Sequence, residues 1–424
     1  MLKRLSRQIS LTITVTLAIA GTAGCSTNAV TGKSQIVMPL AQQIKIGVEN
    51  YQPSQQQQGG RYTVDPDLGV YVNQVGQKVA AHSPSNLPYE FVVLNSDVPN
   101  AWALPGGKIA INRGLLTLLE DEAQLAAVLG HEVIHAAAEH GANQMAKAQM
   151  LNVGVLAAGV AASRSEKALL VGAGAALGAQ AFQAHYGRSQ ELEADRYGID
   201  LMIKAGYEPR AAVELQEKFV ALSKGQKSDF LSNLFASHPP SQERVEKNKA
   251  RTANLPQGKR NRAAYQRAIG QIVRDQAAYK ARAEAEKVAS EGDLAQGLSL
   301  VNKAIQMQSE EPAFYITKGQ ILAQQKNHAE AKKAYTAAVR KNPDYFMGHL
   351  GKGLSEAETG DKSAAKISLQ SSMQQLKTFV GAYYLGEIYL AENNRQQAIP
   401  MFQYAAQSQG DLGKAAQARL SNLQ

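Results

Sequence analysis

The chain has 424 residues, which is too many for one ordinary hydrophobic core and predicts two or three domains. Hydrophobic residues make up 44% of it and charged residues 19%, a composition typical of globular proteins. The formal net charge of +9 suits either plain solubility or a surface near anionic lipid or acidic partners. It does not indicate nucleic-acid binding, because the sequence has no basic stripe interleaved with aromatic residues.

The first residues, 1–24, have the layout of a bacterial export signal. A basic start is followed by an apolar run at 9–20, which is too short to span a bilayer comfortably. Cys25, the only cysteine, follows the tripeptide Thr-Ala-Gly in an arrangement that resembles a lipobox. We therefore predict lipidation of Cys25 and, because Ser26 follows it, anchoring to the outer membrane on the periplasmic side. The alternative is a soluble secreted protein cut near Ala23, and in both cases a single cysteine excludes a disulfide framework.

The segments that follow the export signal are short. Residues 26–36 are polar and predict a tether, and residues 37–51 predict an amphipathic helix. The low-complexity run at 52–60 predicts a mobile loop or linker. A helix is expected over 66–82 and a strand over 88–95. No later stretch reaches the ~20 apolar residues of a membrane helix.

Two short strands joined by Pro105-Gly106-Gly107 are predicted within residues 100–116, and the chain then enters a helix. Residues 150–182 are rich in glycine and alanine, and we interpret them as a buried helical hairpin. The other elements predicted before the last third are a helix over 117–147, a helix over 189–205 that ends near Gly206, a loop from His238 with a helix after it, and a polar domain boundary at 253–262.

The last third of the chain is helical and repeats at about 34 residues, the tetratricopeptide period. In the unit that begins at Pro312, small and aromatic residues occupy the positions at which paired helices pack. These positions and their weaker equivalents in neighbouring units are Gly319, Ala331, Tyr335, Ala338 and Pro343, then Gly353 and Ala365, then Gly386, Tyr389, Ala398, Phe402 and Ala405, with Ala285, Val301 and Ala304 before them. An irregular helical bundle is the alternative.

The segment LGHEVIHAAAEHG, residues 129–141, places titratable residues in an apolar helix. His131 and His135 are four residues apart, so both imidazoles emerge on one face at a spacing that suits two ligands of tetrahedral zinc. Glu132 would take a proton from the attacking water and pass it to the leaving amine. The same five-residue pattern also occurs by chance on ordinary amphipathic helices, so further ligands decide the interpretation.

A third ligand is available on the helix at 189–205, where Glu191 and Asp195 are four residues apart on one face. Glu191 would complete a site of two histidines and one glutamate for one zinc ion per chain. Asp195 would accept a hydrogen bond from a ligand imidazole and fix its tautomer. The alternative is a solvated acidic face that also includes Glu193.

The remaining histidines are less informative. A metzincin would need a histidine six residues after His135, where Gly141 stands. His140 is out of helical phase, and we interpret it as a surface residue or one that lies behind the ligands. His238 and Arg244 form a downstream pair of cations. His238 would stabilise the oxyanion or occupy the open zinc position at rest, or it would be an ordinary loop histidine.

Four motifs occur in an order that resembles family forty-eight of the zinc metallopeptidases, in particular its periplasmic, BepA-like type with C-terminal tetratricopeptide repeats. The motifs are NAWALPGGKIAINRGLL (100–116), LGHEVIHAAAEHG (129–141), ELEADRYG (191–198) and SHPPSQER (237–244). The resemblance covers about 37–250 and, within the repeats, 278–410. It implies zinc ligands at His131, His135 and Glu191, a base at Glu132, and roles near the site for Asp195, His238 and Arg244.

A zinc endopeptidase must hold its substrate extended across the metal, and an edge strand does this through backbone hydrogen bonds. We predict that the strand beginning near residue 100 is this edge, with Asn100, Ala101, Trp102 and Ala103 as substrate-binding residues. An ordinary structural hairpin is the alternative. Binding through the backbone suits misfolded or unassembled proteins, and the hairpin at 150–182 would gate their entry.

We therefore expect a mostly α-helical protein, in which an α+β gluzincin peptidase domain with a small β-sheet precedes an all-α repeat solenoid. The predicted boundaries are 1–24 for the signal, 25–60 for the tether and first helix, 61–255 for the peptidase and 256–424 for the repeats. The predicted function is zinc-dependent hydrolysis of misfolded or unassembled envelope proteins in the periplasm, with the repeats binding a protein partner such as the outer-membrane assembly machinery. The alternative is a chaperone-like repeat scaffold for outer-membrane protein assembly with a resting metal site.

Overall fold

The computed structural model describes residues 24–146, 185–224 and 231–423. The chain divides into two compact units. The first comprises Met1–Ser54 and Asp67–Ile269, and the second comprises Gln55–Pro66 and Gly270–Gln424. Residues 1–23 of the predicted signal and the glycine- and alanine-rich segment 150–182 lie outside the described residues.

An antiparallel hairpin of β1 (Gly24–Thr27) and β2 (Ser34–Val37) stands where we expected a polar tether. Asn28 fixes its turn, because the side-chain oxygen accepts hydrogen bonds from the backbone N–H groups of residues 30 and 31. The Asn28 amide also donates to Ala138 O at 3.2 Å. Since that partner is 110 residues away, local composition could not predict the hairpin. Cys25 lies in β1, and its lipidation stays a prediction.

Helix α1 (Leu40–Gln57) also differs from expectation, because it continues through Pro53 into the glutamine-rich run predicted to be a loop. Gln56 is buried, and its side-chain amide forms two hydrogen bonds with backbone atoms of the second unit. Its Nε2 donates to Asp344 O at 2.7 Å, and its Oε1 accepts from Phe346 N at 2.8 Å. The amides of a low-complexity run are therefore ordered here by partners far along the chain.

The first unit contains a three-stranded sheet of order β3-β5-β4. Strand β3 (Glu90–Leu94) pairs in parallel with β5 (Lys108–Asn112), which pairs antiparallel with β4 (Ala101–Leu104). The predicted hairpin is confirmed, with Gly106 and Gly107 at φ values of 79° and 86° in its turn. Within the described part of the chain β4 is an edge strand, because it pairs with β5 alone.

The helices with both ends in the described residues that lie wholly or mostly in the first unit are α1, α2 (Pro66–Ala80), α3 (Arg113–Leu116), α4 (Glu122–Ala137), α5 (Arg188–Lys204), α6 (Arg210–Ser223), α7 (Ser232–Ser237), α8 (Gln242–Thr252) and α9 (Arg262–Ala268). Helix α4 begins at Asp121, whose carboxylate caps it by accepting from Gln124 N at 3.0 Å. Its apolar side chains, including Leu125 and Leu129, are fully buried against the sheet and neighbouring helices. Both motif helices of the sequence therefore lie in the core of this unit.

Helices α4 and α5 approach each other closely through two glycines. A Cβ atom on Gly130 would lie 3.1 Å from Gly198 O, and one on Gly198 would lie 3.1 Å from His131 N. Larger residues would therefore push the two helix backbones apart. The close approach brings the histidine-bearing face of α4 within side-chain reach of the acidic face of α5.

The boundary between the units lies later than the predicted residue 256. The chain beyond Pro256 still belongs to the first unit, because Tyr265 of α9 is completely buried and its hydroxyl donates to Leu116 O at 2.6 Å. The second unit resumes at Gly270. A polar break in the sequence thus marks a surface loop here and not the end of a core.

The second unit is a series of paired helices, which confirms the predicted all-α repeat domain. They are α10 (Gly270–Arg274), α11 (Gln276–Ser290), α12 (Leu294–Met307), α13 (Pro312–Gln324), α14 (His328–Lys341), α15 (Phe346–Glu358), α16 (Lys362–Gln375), α17 (Phe379–Ala391), α18 (Arg395–Ala405) and α19 (Asp411–Ser421). In three successive pairs a glycine packs on a large side chain sixteen residues later: Gly319 on Tyr335, Gly353 on Leu369, and Gly386 on Phe402. None of the helices in the described residues is long and apolar enough to cross a membrane.

Replacing Gly353 by alanine is expected to destabilise the repeat unit by ~1–3 kcal/mol, the usual range for overpacking. The added Cβ would lie 2.7 Å from Leu369 Cγ and 3.1 Å from Leu369 N, so the paired helices would have to separate. Gly69→Ala is the matched control, because it also lies inside a helix but its Cβ would meet nothing within 4 Å. Chemical denaturation should show a loss for Gly353→Ala and none for Gly69→Ala, and equal stability of the two variants would contradict the packing assignment.

Candidate metal centre

The first two donors of the candidate site come from helix α4. His131 and His135 emerge on the same face, and their Nε2 atoms lie 2.9 Å apart. His135 is almost completely buried, while His131 is partly exposed. Two unshared imidazole nitrogens at this separation need a proton or a cation between them.

The third donor, Glu191, belongs to α5 and reaches the histidines because the two helices are in close contact at Gly130 and Gly198. Glu191 Oε1 lies 3.2 Å from His135 Nε2, and Glu191 Oε2 lies 3.5 Å from His131 Nε2. The sequence proposed these three residues as ligands, and the structure brings all three together.

His238 joins the same cluster from the end of α7. Its Nδ1 lies 3.3 Å from His131 Nε2 and 3.1 Å from Glu191 Oε1. Single donor atoms of His131, His135, Glu191 and His238 all lie within 4.8 Å of one another. The loop histidine of the sequence is therefore a candidate fourth donor.

The donor set fits a tetrahedral divalent ion. Zinc bound to nitrogen and oxygen at about 2.0–2.1 Å would hold its ligand atoms about 3.3 Å apart. Five of the separations in the cluster run from 2.9 to 3.5 Å, and all of them are within 4.8 Å. Two or three imidazoles with one carboxylate form a chemical set that zinc commonly takes, whereas magnesium and calcium prefer oxygen.

The charges around the cluster also favour a divalent cation. Three carboxylates are buried there, those of Glu132, Glu191 and Asp195, and one buried guanidinium, that of Arg244, accompanies them. With neutral histidines, three negative charges and one positive charge leave a balance of two negative charges. An excess of that size is unfavourable in the interior unless a cation offsets it.

The protonation of the histidines reflects the same field. Burial lowers the pKa of His131, but the carboxylates of Glu191 and Asp195 outweigh it and raise the pKa to about 10. Burial raises the pKa of Glu191, but the charges of His238 and His131 outweigh it and hold the pKa well below its usual range. The carboxylates that favour a proton on His131 equally favour a metal cation at its Nε2. Burial, together with the charge of His131, lowers the pKa of His135 well below its usual value, which leaves it a neutral donor.

Glu132 is positioned to exchange a proton beside the cluster. Its Oε1 lies 3.4 Å from His238 Nε2, and its Oε2 is buried with no hydrogen-bond partner among the described residues. Burial raises the pKa of Glu132, so its carboxylate is a stronger base than an exposed one. An unpartnered acceptor at this place suits a water molecule or a substrate group.

Asp195 and Arg244 orient the ligands from behind. Asp195 Oδ1 lies 3.0 Å from His131 Nδ1, which leaves the Nε2 lone pair of His131 facing the other donors. Arg244 donates to Asp195 Oδ2 at 2.6 Å and to Oδ1 at 2.7 Å, and its Nη1 lies 2.6 Å from Glu191 Oε2. Burial alone would raise the pKa of Asp195, but Arg244 and His131 hold it well below its usual value.

Of the four predicted substrate-binding residues, Ala101 lies beside the candidate site and Trp102 packs away from it. Ala101 lines a cavity of about 70 Å³ together with His131 and Glu132. Asn100 is buried, with its Oδ1 unpartnered among the described residues. Trp102 packs edge-on against Tyr51 of α1 at a ring separation of 6.2 Å, so its side chain contacts the core and not the ligand cluster. Ala103 is buried in the same edge strand, β4.

Tyr186 was not predicted at the site, and His140 was predicted only as a surface residue or one that lies behind the ligands. Tyr186 stacks on His135 with ring centroids 3.6 Å apart and an interplanar angle of 20°. His140 Nδ1 lies 2.9 Å from His135 Nδ1. Tyr186 belongs to no motif and precedes α5, so no spacing pointed to it. His140 is out of phase with the helix, and only the turn after α4 brings it back.

Two parts of the chain are similar to known proteins. Residues 67–252 match the family model described as peptidase family M48, and residues 312–345 match a tetratricopeptide repeat. A β-barrel assembly-enhancing protease of Yersinia pestis is 32% identical over 166 residues, covering 38% of this chain and 34% of that protein. The mitochondrial metalloendopeptidase OMA1 of Schizosaccharomyces pombe is 36% identical, covering 42% of this chain and 51% of its own. The metalloprotease YcaL of Escherichia coli is 33% identical, and the similarity covers 38% of this chain and 61% of that protein.

The chain spans about a third of the length of the first of these relatives. Among solved structures, a thermophilic tetratricopeptide-repeat protein of Thermus thermophilus is similar, with a TM-score of 0.28 and 17% identity, over 50% of this chain and 96% of its own. The assignment of tetratricopeptide repeats depends on the match of residues 312–345 and on the glycine packing described above. Residues 67–252 thus match peptidase family M48, and a match to a tetratricopeptide repeat follows them in the chain.

Proposed function

We propose that the chain is a zinc metalloendopeptidase that hydrolyses peptide bonds of misfolded or unassembled envelope proteins. The observation that carries this proposal is the juxtaposition of four donor atoms with a buried, unpartnered carboxylate oxygen of Glu132. A purely structural metal site would enclose its ion and would have no reason to bury an unpaired base beside it. The family match of residues 67–252 and the names of the relatives support the same chemistry.

In this proposal His131, His135 and Glu191 hold one zinc ion. Zinc supplies Lewis acidity, which polarises a peptide carbonyl and makes water easier to deprotonate. Glu132 Oε2 takes the proton of the attacking water and later delivers it to the departing nitrogen. Asp195 keeps His131 in the tautomer whose Nε2 carries the lone pair that binds metal, and Arg244 keeps Asp195 ionised.

His238 has two proposed roles, and the geometry favours one of them. Its Nδ1 lies among the ligand atoms, 3.1 Å from Glu191 Oε1, which suits a ligand that holds the open position at rest. A group that stabilises the oxyanion would instead point to where the substrate oxygen develops charge. We therefore propose that His238 completes the ligand set until substrate arrives.

Substrate is proposed to add to the edge strand β4. Asn112 N donates to Asn100 O at 2.8 Å, so in the antiparallel pair residues 100, 102 and 104 direct their backbone groups to β5. The N–H and C=O groups of Ala101 and Ala103 then point away from β5, on the side of β4 that has no strand partner among the described residues. A polypeptide bound to them would pass Ala101, which lines the same cavity as Glu132. Such recognition reads backbone and would select exposed strands.

The cellular setting follows from the sequence and the relatives. A relative named for enhancing β-barrel assembly supports unassembled outer-membrane proteins as the substrate class. We propose a periplasmic location with an outer-membrane lipid anchor at Cys25, and repeats that bind a protein partner. The alternative function, a repeat scaffold for assembly with a resting metal site, uses the same second unit and does not need Glu132.

Glu132→Gln is expected to reduce cleavage of an unfolded substrate such as casein by roughly 10²–10⁴-fold, the usual contribution of a general base. Zinc content should stay at one per chain, because the change leaves His131, His135 and Glu191 intact. The measurements are cleavage rate and metal content by elemental analysis, with the exposed Glu49→Gln as control.

Full activity of the Glu132→Gln protein, or wild-type protein without stoichiometric zinc, would refute the hydrolase proposal. Suppression of aggregation of an unfolded β-barrel protein by Glu132→Gln would support the scaffold function in addition to hydrolysis.

His238→Ala is expected to weaken zinc retention in a chelator competition and to increase hydrolysis of a short peptide severalfold, because one resting ligand is removed. The exposed His82→Ala is the control for loss of a histidine. A fall in activity with unchanged zinc affinity would instead assign His238 to the oxyanion.

Ala103→Pro is expected to raise KM for an unfolded protein roughly tenfold, the value of one net hydrogen bond. Proline removes an N–H that points away from β5 and leaves the ladder to β5 complete, so zinc content should not change. Ala103 is buried, so the unfolding temperature is measured to show that the variant folds. Ala103→Gly keeps the N–H and serves as control. An unchanged KM in folded Ala103→Pro protein would argue against strand addition at β4.

A further inference from the structure

The ligand His135 has a second imidazole directly behind it. His140 Nδ1 lies 2.9 Å from His135 Nδ1, and His140 Nε2 lies 3.3 Å from Glu193 Oε1. We infer that His140 and Glu193 are positioning residues: they form a hydrogen-bond relay that fixes the orientation and tautomer of His135 as a metal ligand. This inference rests on the metal site of the proposed function and not on peptide hydrolysis.

The relay has one consistent arrangement of protons when both rings are neutral. His135 Nε2 faces the other ligand atoms, at 3.2 Å from Glu191 Oε1, so it must carry the lone pair. His135 Nδ1 then carries the hydrogen and donates it to His140 Nδ1. The remaining hydrogen of His140 is on Nε2, which donates to the carboxylate of Glu193. In this arrangement each nitrogen of the relay either donates or accepts a hydrogen bond, and none does both.

Burial makes the relay necessary. His135 and His140 are 1% and 4% exposed, so water does not readily replace either partner. Tyr186 covers one face of the His135 ring, which leaves the ring edge as the only polar part to be satisfied. A buried Nδ1–H without an acceptor would favour rotation of His135 away from the ligand cluster. Glu193 is partly exposed and forms the end of the relay.

The backbone after α4 is shaped to deliver His140. Helix α4 ends at Ala137, and Glu139 adopts a left-handed conformation with φ of 58°, which is unusual for a residue other than glycine. Two amides hold Glu139 there: Gln35 donates to its Oε2 at 2.7 Å, and Gln43 donates to its Oε1 at 3.0 Å. The strained turn moves His140 out of helical phase and against His135.

The two ligand histidines of α4 are thus oriented in parallel ways. His131 donates directly to Asp195, and His135 reaches the carboxylate of Glu193 through a neutral ring. Both arrangements leave Nε2 as the metal donor. The direct carboxylate raises the basicity of its ligand more than the relayed one, so the relay chiefly supplies orientation.

The test measures metal binding in the full-length protein and does not depend on hydrolysis. Apo protein is titrated with Co²⁺ and with Zn²⁺ against a chelator, and the visible absorption bands of bound Co²⁺ report the ligand geometry. The variants are His140→Leu, which removes the acceptor; His140→Asn, which keeps one acceptor and one donor; and Glu193→Ala. The exposed Arg196→Gln on the same helix is the control.

We expect His140→Leu to lose about 10–100-fold in affinity, the usual effect of removing an outer-shell partner, and to shift the Co²⁺ bands. His140→Asn should recover most of the affinity and the wild-type bands, and Glu193→Ala should lose severalfold. The unfolding temperature of the apo protein shows whether each variant folds, so Glu193→Ala and His140→Asn keep the test decisive if His140→Leu does not.

Wild-type affinity and bands in a folded His140→Leu protein would overturn the relay, as would His140→Asn binding no better than His140→Leu. If the wild-type protein binds neither ion stoichiometrically, the relay and the proposed function fall together. If wild type binds zinc but hydrolyses nothing, only the proposed function falls.

Discussion

The site depends above all on the contact between two helix backbones at Gly130 and Gly198. One helix carries the paired histidines and the other carries the acidic residues, and neither set is a metal site alone. The side chain of Glu191, the proposed third ligand, reaches to 3.2 Å from His135 Nε2 because no side chain separates the helices at this contact. Replacing either glycine would not touch a ligand, yet it would move one half of the site away from the other.

Burying so much charge makes metal binding and local stability inseparable. Three carboxylates lie together in the interior with a single guanidinium, and such a group is unfavourable until a divalent cation offsets it. The hydrogen bonds from Arg244 to Asp195 reduce the repulsion but do not remove it. The free energy of binding a metal would therefore also stabilise the packing of α4, α5 and α8. The same field holds Glu132 desolvated and basic, which is the property that proton transfer requires.

Much of this could be predicted from the sequence wherever the determinants are local. Four-residue spacing places His131 with His135, and Glu191 with Asp195, because an α-helix repeats every 3.6 residues. The repeats were predictable for a similar reason, since glycine and its large partner recur at a fixed separation, as in Gly353 and Leu369. The failures involve contacts between distant residues. The β1–β2 hairpin depends on the hydrogen bond from Asn28 to Ala138, and the order of Gln56 in α1 depends on backbone groups of Asp344 and Phe346. No local pattern contains that information.

His140 shows where periodicity itself misleads. A regular helix would turn this residue away from His135, and so the sequence left open whether it lies at the surface or behind the ligands. The left-handed residue Glu139 breaks the period, and its conformation is held by Gln35, from the segment predicted to be a tether, and by Gln43, from the helix predicted after it. The β1–β2 hairpin and helix α1 supply the amides of Gln35 and Gln43, and these amides stabilise the otherwise costly backbone conformation of Glu139. The left-handed turn at Glu139 is therefore better explained as a device that brings His140 against the proposed ligand His135 than as a simple helix end. Its backbone strain is offset by hydrogen bonds from two other elements, which a simple helix end would not need.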